Sequence, residues 1–459
     1  MDGELRSEGP ILWEGEAGHD KPEEGHMGDT SMSETMLTYL QWIAERAAKS
    51  KDWQFYSLAN HMDKELLLAA FRQIRKGASA GVDGQTAKEY SENLNENLKD
   101  LYLRLKENRY RAPSVKRVWI DKADGRQRPI GMPTCEDKIV QRAVAMLLEP
   151  IYEEDFYDFS YGYRRGRNPH QALKKLRETI KEEKCGWIID ADIKGFFDSM
   201  DHGVLREFIG RRIKDGGIKR LLGKWLNAGI SEEGQIHYSD SGTPQGGSIS
   251  PLLSNIYLHY ALDEWFVEVV QPRLKGKSFL IRFCDDFVIG CEYREDAERV
   301  MNVLPKRLSK YGLTVHPDKT RLVDFVKPKS DGDRKETFDF LGFTHYWGKS
   351  KSGYWVVKKK TRARKLIQKR KEINVWCKEN RHVSVRVQHK YLCQVLRGHY
   401  NYFGVIGNYK SLASMRHWIM ICWRKWLNRR GGKKSISWDK FKKILKTYSL
   451  PMPEIVHEI

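Results

Sequence analysis

Two segments place acids where an acid is costly unless something answers it. Gly186-Trp-Ile-Ile-Asp190-Ala-Asp192 begins as an apolar strand, and a period of two sets Ile188, Asp190 and Asp192 on one face. Such a strand end turns its acids to solvent, has Asp190 satisfied by a neighbouring helix, or holds a cation. Phe279-Leu-Ile-Arg-Phe-Cys-Asp285-Asp286-Phe-Val-Ile-Gly290 flanks a Cys-Asp-Asp turn with two apolar half-strands. Aspartate is a common turn residue, so a plain turn is one reading. Adjacent carboxylates also repel each other, and a shared cation relieves that repulsion. Hard oxygen ligands at a strand end and a hairpin turn can share two magnesium ions about 3.5–4 Å apart. Ions held there would polarise an attacking 3′-hydroxyl and stabilise a leaving pyrophosphate, the electrostatics of nucleotidyl transfer.

Bringing residue 192 to residues 285–286 requires a sheet. The pattern predicts a strand over Trp187–Asp192, a strand pair around 279–290 and a helix over 293–311. Upstream, Ser31-x-x-Glu34 fits a capping box before a helix whose apolar face is Met36, Leu37, Leu40, Ile43 and Ala44. A second helix is expected over Met62–Ile74, ended by Gly81-Val-Asp-Gly84, and a charged helix over 86–108. Val118–Ile120 and Arg128–Ile130 read as strands around a turn at Asp124-Gly125, followed by helices at 136–149 and 169–183. Beyond a short strand at Tyr354–Val357, most of 361–427 reads as helix. Leu412, Met415, Ile419, Cys422 and Trp426 form an apolar stripe that Gly431-Gly432 stops.

The chain has 459 residues and a net charge of +20, room for about three domains. The charge is uneven. Residues 1–34 carry ten acids and two bases, whereas residues 346–434 carry 24 Lys/Arg and only Glu372 and Glu379 as acids. Six of the fourteen tryptophans lie in that basic stretch. Nearly pure positive charge interleaved with aromatics suits a polyanion whose bases can stack. The longest bulky apolar run, Trp418–Trp423, is six residues, against about 20 for a bilayer crossing, which excludes a membrane span. Seven scattered cysteines without CxxC spacing point away from a disulfide framework or a four-Cys zinc site and toward the cytoplasm. The acidic first 34 residues read as a flexible tail without a secretory signal. Neither Gly276-Lys-Ser278 nor Gly348-Lys-Ser350 has the first glycine of a phosphate loop.

In order along the chain stand Gly81-Val-Asp-Gly84; Lys122-Ala-Asp-Gly-Arg-Gln-Arg128-Pro-Ile-Gly-Met-Pro133; Ser160-Tyr-Gly-Tyr-Arg164; Asp192-Ile-Lys-Gly-Phe-Phe-Asp198 with Asp201-His202; Gly242-Thr-Pro-Gln-Gly-Gly-Ser-Ile-Ser-Pro251; Phe283-Cys-Asp-Asp286; Gly312-Leu-x-x-His-Pro-Asp-Lys319-Thr; and Phe340-Leu-Gly-Phe343. This ordered set resembles a group II intron reverse transcriptase/maturase over roughly residues 60–455. Arg397-Gly-His-Tyr-Asn-Tyr-Phe-Gly404 and Trp423-Arg-Lys-Trp-Leu-Asn-Arg-Arg430 resemble the maturase-specific thumb. The family's usual hairpin reads Tyr-Ala-Asp-Asp. Here Phe283 and Cys284 replace the first two residues, which keeps both carboxylates and the ring but puts nucleotide fit and fidelity in doubt. The cysteine pairs and His-Asn-His site of the family's endonuclease module are missing after the thumb, so that module is expected to be absent.

The resemblance implies an α+β right-hand polymerase. An N-terminal helical extension of the fingers would span 35–110, and fingers and palm, with an antiparallel palm sheet packed on helices, would span 111–345. A basic, mainly helical thumb/maturase domain would span 346–459. It implies that Asp192, Asp285 and Asp286 are the catalytic carboxylates, holding two Mg2+ (Mn2+ as substitute) with the backbone carbonyl of Ile193. Lys122 and Arg128 would grip the dNTP triphosphate, Phe197 would exclude a ribose 2′-hydroxyl, Gln245 would touch the sugar, and Lys319 would lie near the triphosphate. His202 reads as structural. Lys358, Lys359, Lys360, Arg362, Arg364, Lys365, Lys369, Arg370 and Lys371 would meet phosphates of the RNA template, its DNA or RNA primer, or the intron RNA. Tyr400, Tyr402 and Phe403 either stack on RNA or pack in the core, and Trp423 and Trp426 belong to the core. The implied function is RNA-directed DNA synthesis with assistance to intron splicing and mobility. The alternatives are a related polymerase serving DNA repair or phage defence without an intron, and a catalytically silent RNA-binding maturase, which the intact acids disfavour.

Overall fold

The computed structural model describes residues 33–121, 127–232, 235–238, 242, 246–430 and 436–459. Its centre is a four-stranded antiparallel sheet in the order β2-β3-β1-β4, with β1 at Trp187–Asp192, β2 at Ser278–Phe283, β3 at Asp286–Cys291 and β4 at Arg321–Asp324. Side-chain alternation divides the sheet between two cores. Ile189, Ala191, Leu280, Phe287 and Ile289 enter the first, with the mostly buried helix Cys135–Asp155 and the helices Glu34–Lys49 and Lys64–Gln73. Ile188, Phe279, Ile281, Val288 and Val323 enter the second, with Leu173 and Leu176 of helix Pro169–Glu183 and the C-terminal helices. Each of the larger side chains contributes about 1.5–3 kcal/mol on burial, so both faces of the sheet are anchored.

A second sheet pairs Val115–Asp121 with Gln127–Met132, as expected, and adds the short strands Ile230–Glu232 and Gln235–His237. A third joins Phe338–Phe340, Phe343–Lys349 and Trp355–Thr361, and the helices Ala363–Glu379, Val385–Phe403, Tyr409–Leu427 and Trp438–Thr447 follow. The Leu412–Trp426 stripe is buried as expected. The mixed architecture is the α+β class expected from the sequence.

Two local expectations need correction. The first helix is capped by Ser33, whose hydroxyl accepts from the Met36 N–H at 3.3 Å, and not by Ser31, which lies outside the described residues. The charged stretch 86–108 is two helices, Ala87–Glu92 and Leu94–Lys106. Asn93 breaks it with a non-helical φ of −123°, in keeping with the tendency of asparagine to leave helices. All seven cysteines are free and buried. Among the described residues no helix is long and apolar enough to cross a membrane.

Candidate active site

The β1–β3 register sets Asp192 directly opposite Asp286. The backbone of Asp192 turns the other way: its carbonyl accepts from the His316 N–H at 2.8 Å. The two acids are therefore a non-hydrogen-bonded pair, the arrangement that brings Cα atoms to about 4.5 Å and side chains closest. Phe283 pairs with Asp286, which leaves Cys284 and Asp285 as a two-residue hairpin loop. Three carboxyl-bearing residues from segments some ninety apart in sequence thus meet at one end of the sheet. Beyond β1, the Ile193–Val315 bridge is made by its neighbours, Lys194 N–H to the Thr314 carbonyl and His316 N–H to that of Asp192. The Ile193 carbonyl consequently faces away from that segment, on the side where β3 begins.

The charges at this end are poorly balanced. Burial pushes the Asp286 carboxyl well above the ordinary carboxylate range, and Asp190, Asp285 and Asp192 push it further. The Leu341 backbone N–H opposes them. Burial likewise raises Asp190 to about 6, although Arg321 counteracts it at 3.7 Å. Lys319 donates to Asp192 Oδ2 at 2.8 Å. Crowded acids that repel one another, one of them already drawing an ammonium, are a donor set that suits a hard divalent cation. Among the described residues no three His, Cys, Asp or Glu side chains are gathered closely enough to form a ready metal shell.

The other expected residues fall into three groups. Phe197 follows Gly195, whose φ of +58° starts the short helix Phe196–Ser199. Phe196 is buried, while Phe197 is only half-buried, edge-on to Phe196 at 5.5 Å. A Cβ at Gly246 would come within 2.4 Å of the Gly131 carbonyl, which leaves no room for one, and a Cβ at Gly242 would fit only tightly, 3.1 Å from the Phe197 carbonyl. His202 is buried and structural, its Nε2 lying 2.5 Å from the Gly242 carbonyl. Lys122 and Gln245 lie outside the described residues, as does the side chain of Arg128, whose backbone pairs with Ile120.

In the basic region Lys360, Arg364 and Lys371 are exposed and Lys358 half-exposed. Arg362 pairs with Asp339 at 2.8 Å and Lys369 with Glu372 at 3.2 Å. Arg370 donates to the Ser414 hydroxyl, and Lys365 is half-buried. Lys359 departs from the expectation. It is 1% exposed, because the pleat that turns Lys358 and Lys360 outward turns it into the core beside Val357 and Thr361. It cannot meet a phosphate there. Tyr400, Phe403, Trp423 and Trp426 are core residues, and the half-buried Tyr402 donates its hydroxyl to the Leu341 carbonyl at 3.0 Å.

Sequence reasoning missed what lies behind the hairpin. Arg282 and Asp263, both 0% exposed, form a forked ion pair with contacts of 2.6–3.1 Å. Arg282 Nη1 also donates to Asn255 Oδ1 at 3.0 Å and to the Cys284 carbonyl at 3.1 Å. An arginine between Ile281 and Phe283 in an apolar strand was the available signal. Its partner, in the widened helical turn His259–Asp263, has none in the sequence.

Residues 120–345 match the family model described as reverse transcriptase (RNA-dependent DNA polymerase). The chain is 40% identical over 246 residues to the group II intron-encoded protein LtrA of Lactococcus lactis subsp. cremoris, covering 52% of this chain and 39% of that protein. It is 39% identical over 285 residues to protein YkfC of Escherichia coli K12, covering 54% and 73%. It is 29% identical over 148 residues to the nuclear intron maturase 3, mitochondrial, of Arabidopsis thaliana, covering 32% and 20%. The chain spans about two fifths of the length of LtrA.

Proposed function

We propose that this chain, which belongs to the group II intron reverse transcriptase/maturase family, copies RNA into DNA in the cytoplasm. The observation that carries the reading is the pairing of Asp192 with Asp286 beside a loop that carries Asp285. In the reaction a primer 3′-oxygen forms a bond to the α-phosphorus of a dNTP as the bond to pyrophosphate breaks, and the hydroxyl proton is released. Asp192, Asp285, Asp286 and the Ile193 carbonyl would hold divalent cations, in our reading two Mg2+ with Mn2+ as substitute. When bound, these supply the charge that activates the hydroxyl and steadies the departing pyrophosphate. Phe197 limits the space at C2′ of the incoming sugar. Arg128, Lys122 and Gln245 lie on the segments that would line the nucleotide, and Lys319 keeps a positive charge at the same end of the sheet. We place fingers and palm in residues 111–345, with a helical extension before them and a basic thumb after.

The basic face of residues 358–371, Lys359 excepted, is the proposed contact for phosphates of the template and its DNA or RNA primer. The names of the relatives support a group II intron RNA as a further partner, bound to assist splicing and mobility. The test is primer extension on an RNA template with dNTPs and Mg2+. The purified chain is expected to extend the primer. Asp285→Asn is expected to bind the same RNA and extend nothing. A wild-type chain that makes no DNA sinks the reading, and normal synthesis by Asp285→Asn removes Asp285 from the site.

A further inference from the structure

The geometry points to Arg282, with Asp263 and Asn255, as a buried positioning group that holds the Cys284–Asp285 loop in its working shape, a role that rests on the polymerase reading above. The loop does not hold itself. Cys284 has φ +60°, the left-handed region. Asp285 has no positive φ, so the loop has the form in which glycine is normally the first residue. A side chain at that position is strained, and strain persists only where the surroundings over-determine the conformation.

They do so from two sides. The Cys284 carbonyl accepts from Arg282 Nη1 at 3.1 Å. The Cys284 amide and sulfur lie against Gly162 so closely that a Cβ there would come within 2.5 Å of both. Gly162 is fixed in turn, since its carbonyl accepts from Asn255 Nδ2 at 2.7 Å, and Asn255 Oδ1 accepts from the same Arg282 Nη1. The segment 159–162 that carries Gly162 is also tied to the strand: Tyr161 N–H donates to the Arg282 carbonyl and Arg282 N–H to the Phe159 carbonyl, both at 2.9 Å. One guanidinium thus closes a ring through Asp263, Asn255, Gly162 and the loop.

Stability alone does not account for this arrangement. Replacing a fully buried ion pair by apolar side chains of similar volume is often neutral or stabilising. The pair supplies direction: the planar fork on Asp263 aims the remaining nitrogen at the Cys284 carbonyl, which a lysine cannot do. Asp285 follows in the chain, so the aim of its carboxylate is set by a residue that need not touch substrate.

Arg282→Lys keeps a charge beside Asp263 and so spares the fold. Arg282→Met/Asp263→Leu removes both charges together. Both are expected to melt within a few degrees of wild type and to bind primed RNA normally. Their kcat is expected to fall by about 100-fold, the scale of a misplaced reacting group, with KM for dNTP little changed. Adding Cys284→Gly to the double variant removes the steric penalty at φ +60° and is expected to recover a substantial part of kcat, which a purely structural defect would not show. A polymerising wild type whose folded variants match it in kcat overturns this inference alone. So does a double variant that unfolds while Arg282→Lys keeps full kcat. A wild type that makes no DNA overturns the polymerase reading and this inference with it.

Discussion

Lys319 and Asp192, 127 residues apart in sequence, are joined by a 2.8 Å contact between ammonium and carboxylate at the open end of the central sheet. Both side chains are partly exposed, 52% and 31%, so the pair is worth about 0.2–1 kcal/mol. On the proposed reading, a divalent cation held by Asp192 would compete with this ammonium for the carboxylate. Lys319→Gln is expected to lower the Mg2+ concentration for half-maximal primer extension by about 1.4- to fivefold, the same energy expressed as a ratio. A titration of extension rate against Mg2+ checks it, and an unchanged midpoint would show that the ammonium does not compete.

Asp286→Asn separates stability from activity. Burial and the neighbouring Asp190, Asp285 and Asp192 all disfavour its charge, so a neutral amide relieves the fold. In chelator-treated buffer the variant is expected to melt on the order of 2 °C higher than wild type while its synthesis drops below detection. A lower Tm would contradict the picture of unrelieved repulsion.

Phe197 has one face on the first core and the rest exposed beside the loop that contains Gly242. Phe197→Val opens space without disturbing Phe196. Ribonucleotide incorporation relative to dNTP is expected to rise by about 10–200-fold, the range over which a shape-based pocket discriminates. Sugar selectivity equal to that of wild type would rule out the role.

RNA affinity should depend steeply on salt. Changing Lys358, Lys360, Arg364 and Lys371 together to Gln removes four outward cations and is expected to reduce the slope of log K against log salt by about 3. Filter binding across roughly 50–200 mM salt measures it. Lys359→Gln is the internal control, since a buried lysine releases no counterion and should leave the slope unchanged.

Lys359 should instead be visible in stability. Its ammonium has no hydrogen-bond partner among the described residues, and burial, with Arg177 nearby, lowers its pKa to about 8. An unfolded lysine titrates near 10.4. Between these values the unfolded chain binds more protons, so wild-type stability should rise with pH from about 8 to about 10. The full gain is on the order of 3 kcal/mol. Lys359→Met should be more stable than wild type at pH 7, with the difference closing by pH 10. Parallel melting curves for the two proteins would expose the error if they never converge.

The legible parts were those that local rules decide. Trp187–Asp192 and the 279–290 pair announce themselves by apolar runs and turn chemistry, whereas the lateral pairing that sets Asp192 opposite Asp286 joins distant segments and was implied by the family resemblance alone. The rest depends on distant partners. Arg321–Asp324 and Phe338–Phe340 are four and three residues long, and only pairing with β1 or Phe343–Lys349 makes them strands. Lys358–Lys360 reads as one patch because the sequence pattern ends the strand at Val357. It runs to Thr361, and its alternation takes the middle lysine inside. The Arg282 anchor was half visible, as a charge in an apolar strand, while Asp263 and Asn255 carry no mark in the sequence.

The division of the central sheet between two cores makes the basic half inseparable from the catalytic half. Ile188, Ile281 and Val288 share a hydrophobic interior with Phe343, Leu396 and Trp423, so the strands that carry Asp192 and Asp286 have their second wall built from the C-terminal region. Cutting the chain near residue 345 would not yield a small free polymerase and a free RNA binder. It would leave two fragments with raw oily flanks, prone to clump. Selection on grip and selection on chemistry are therefore bound to act on one indivisible body.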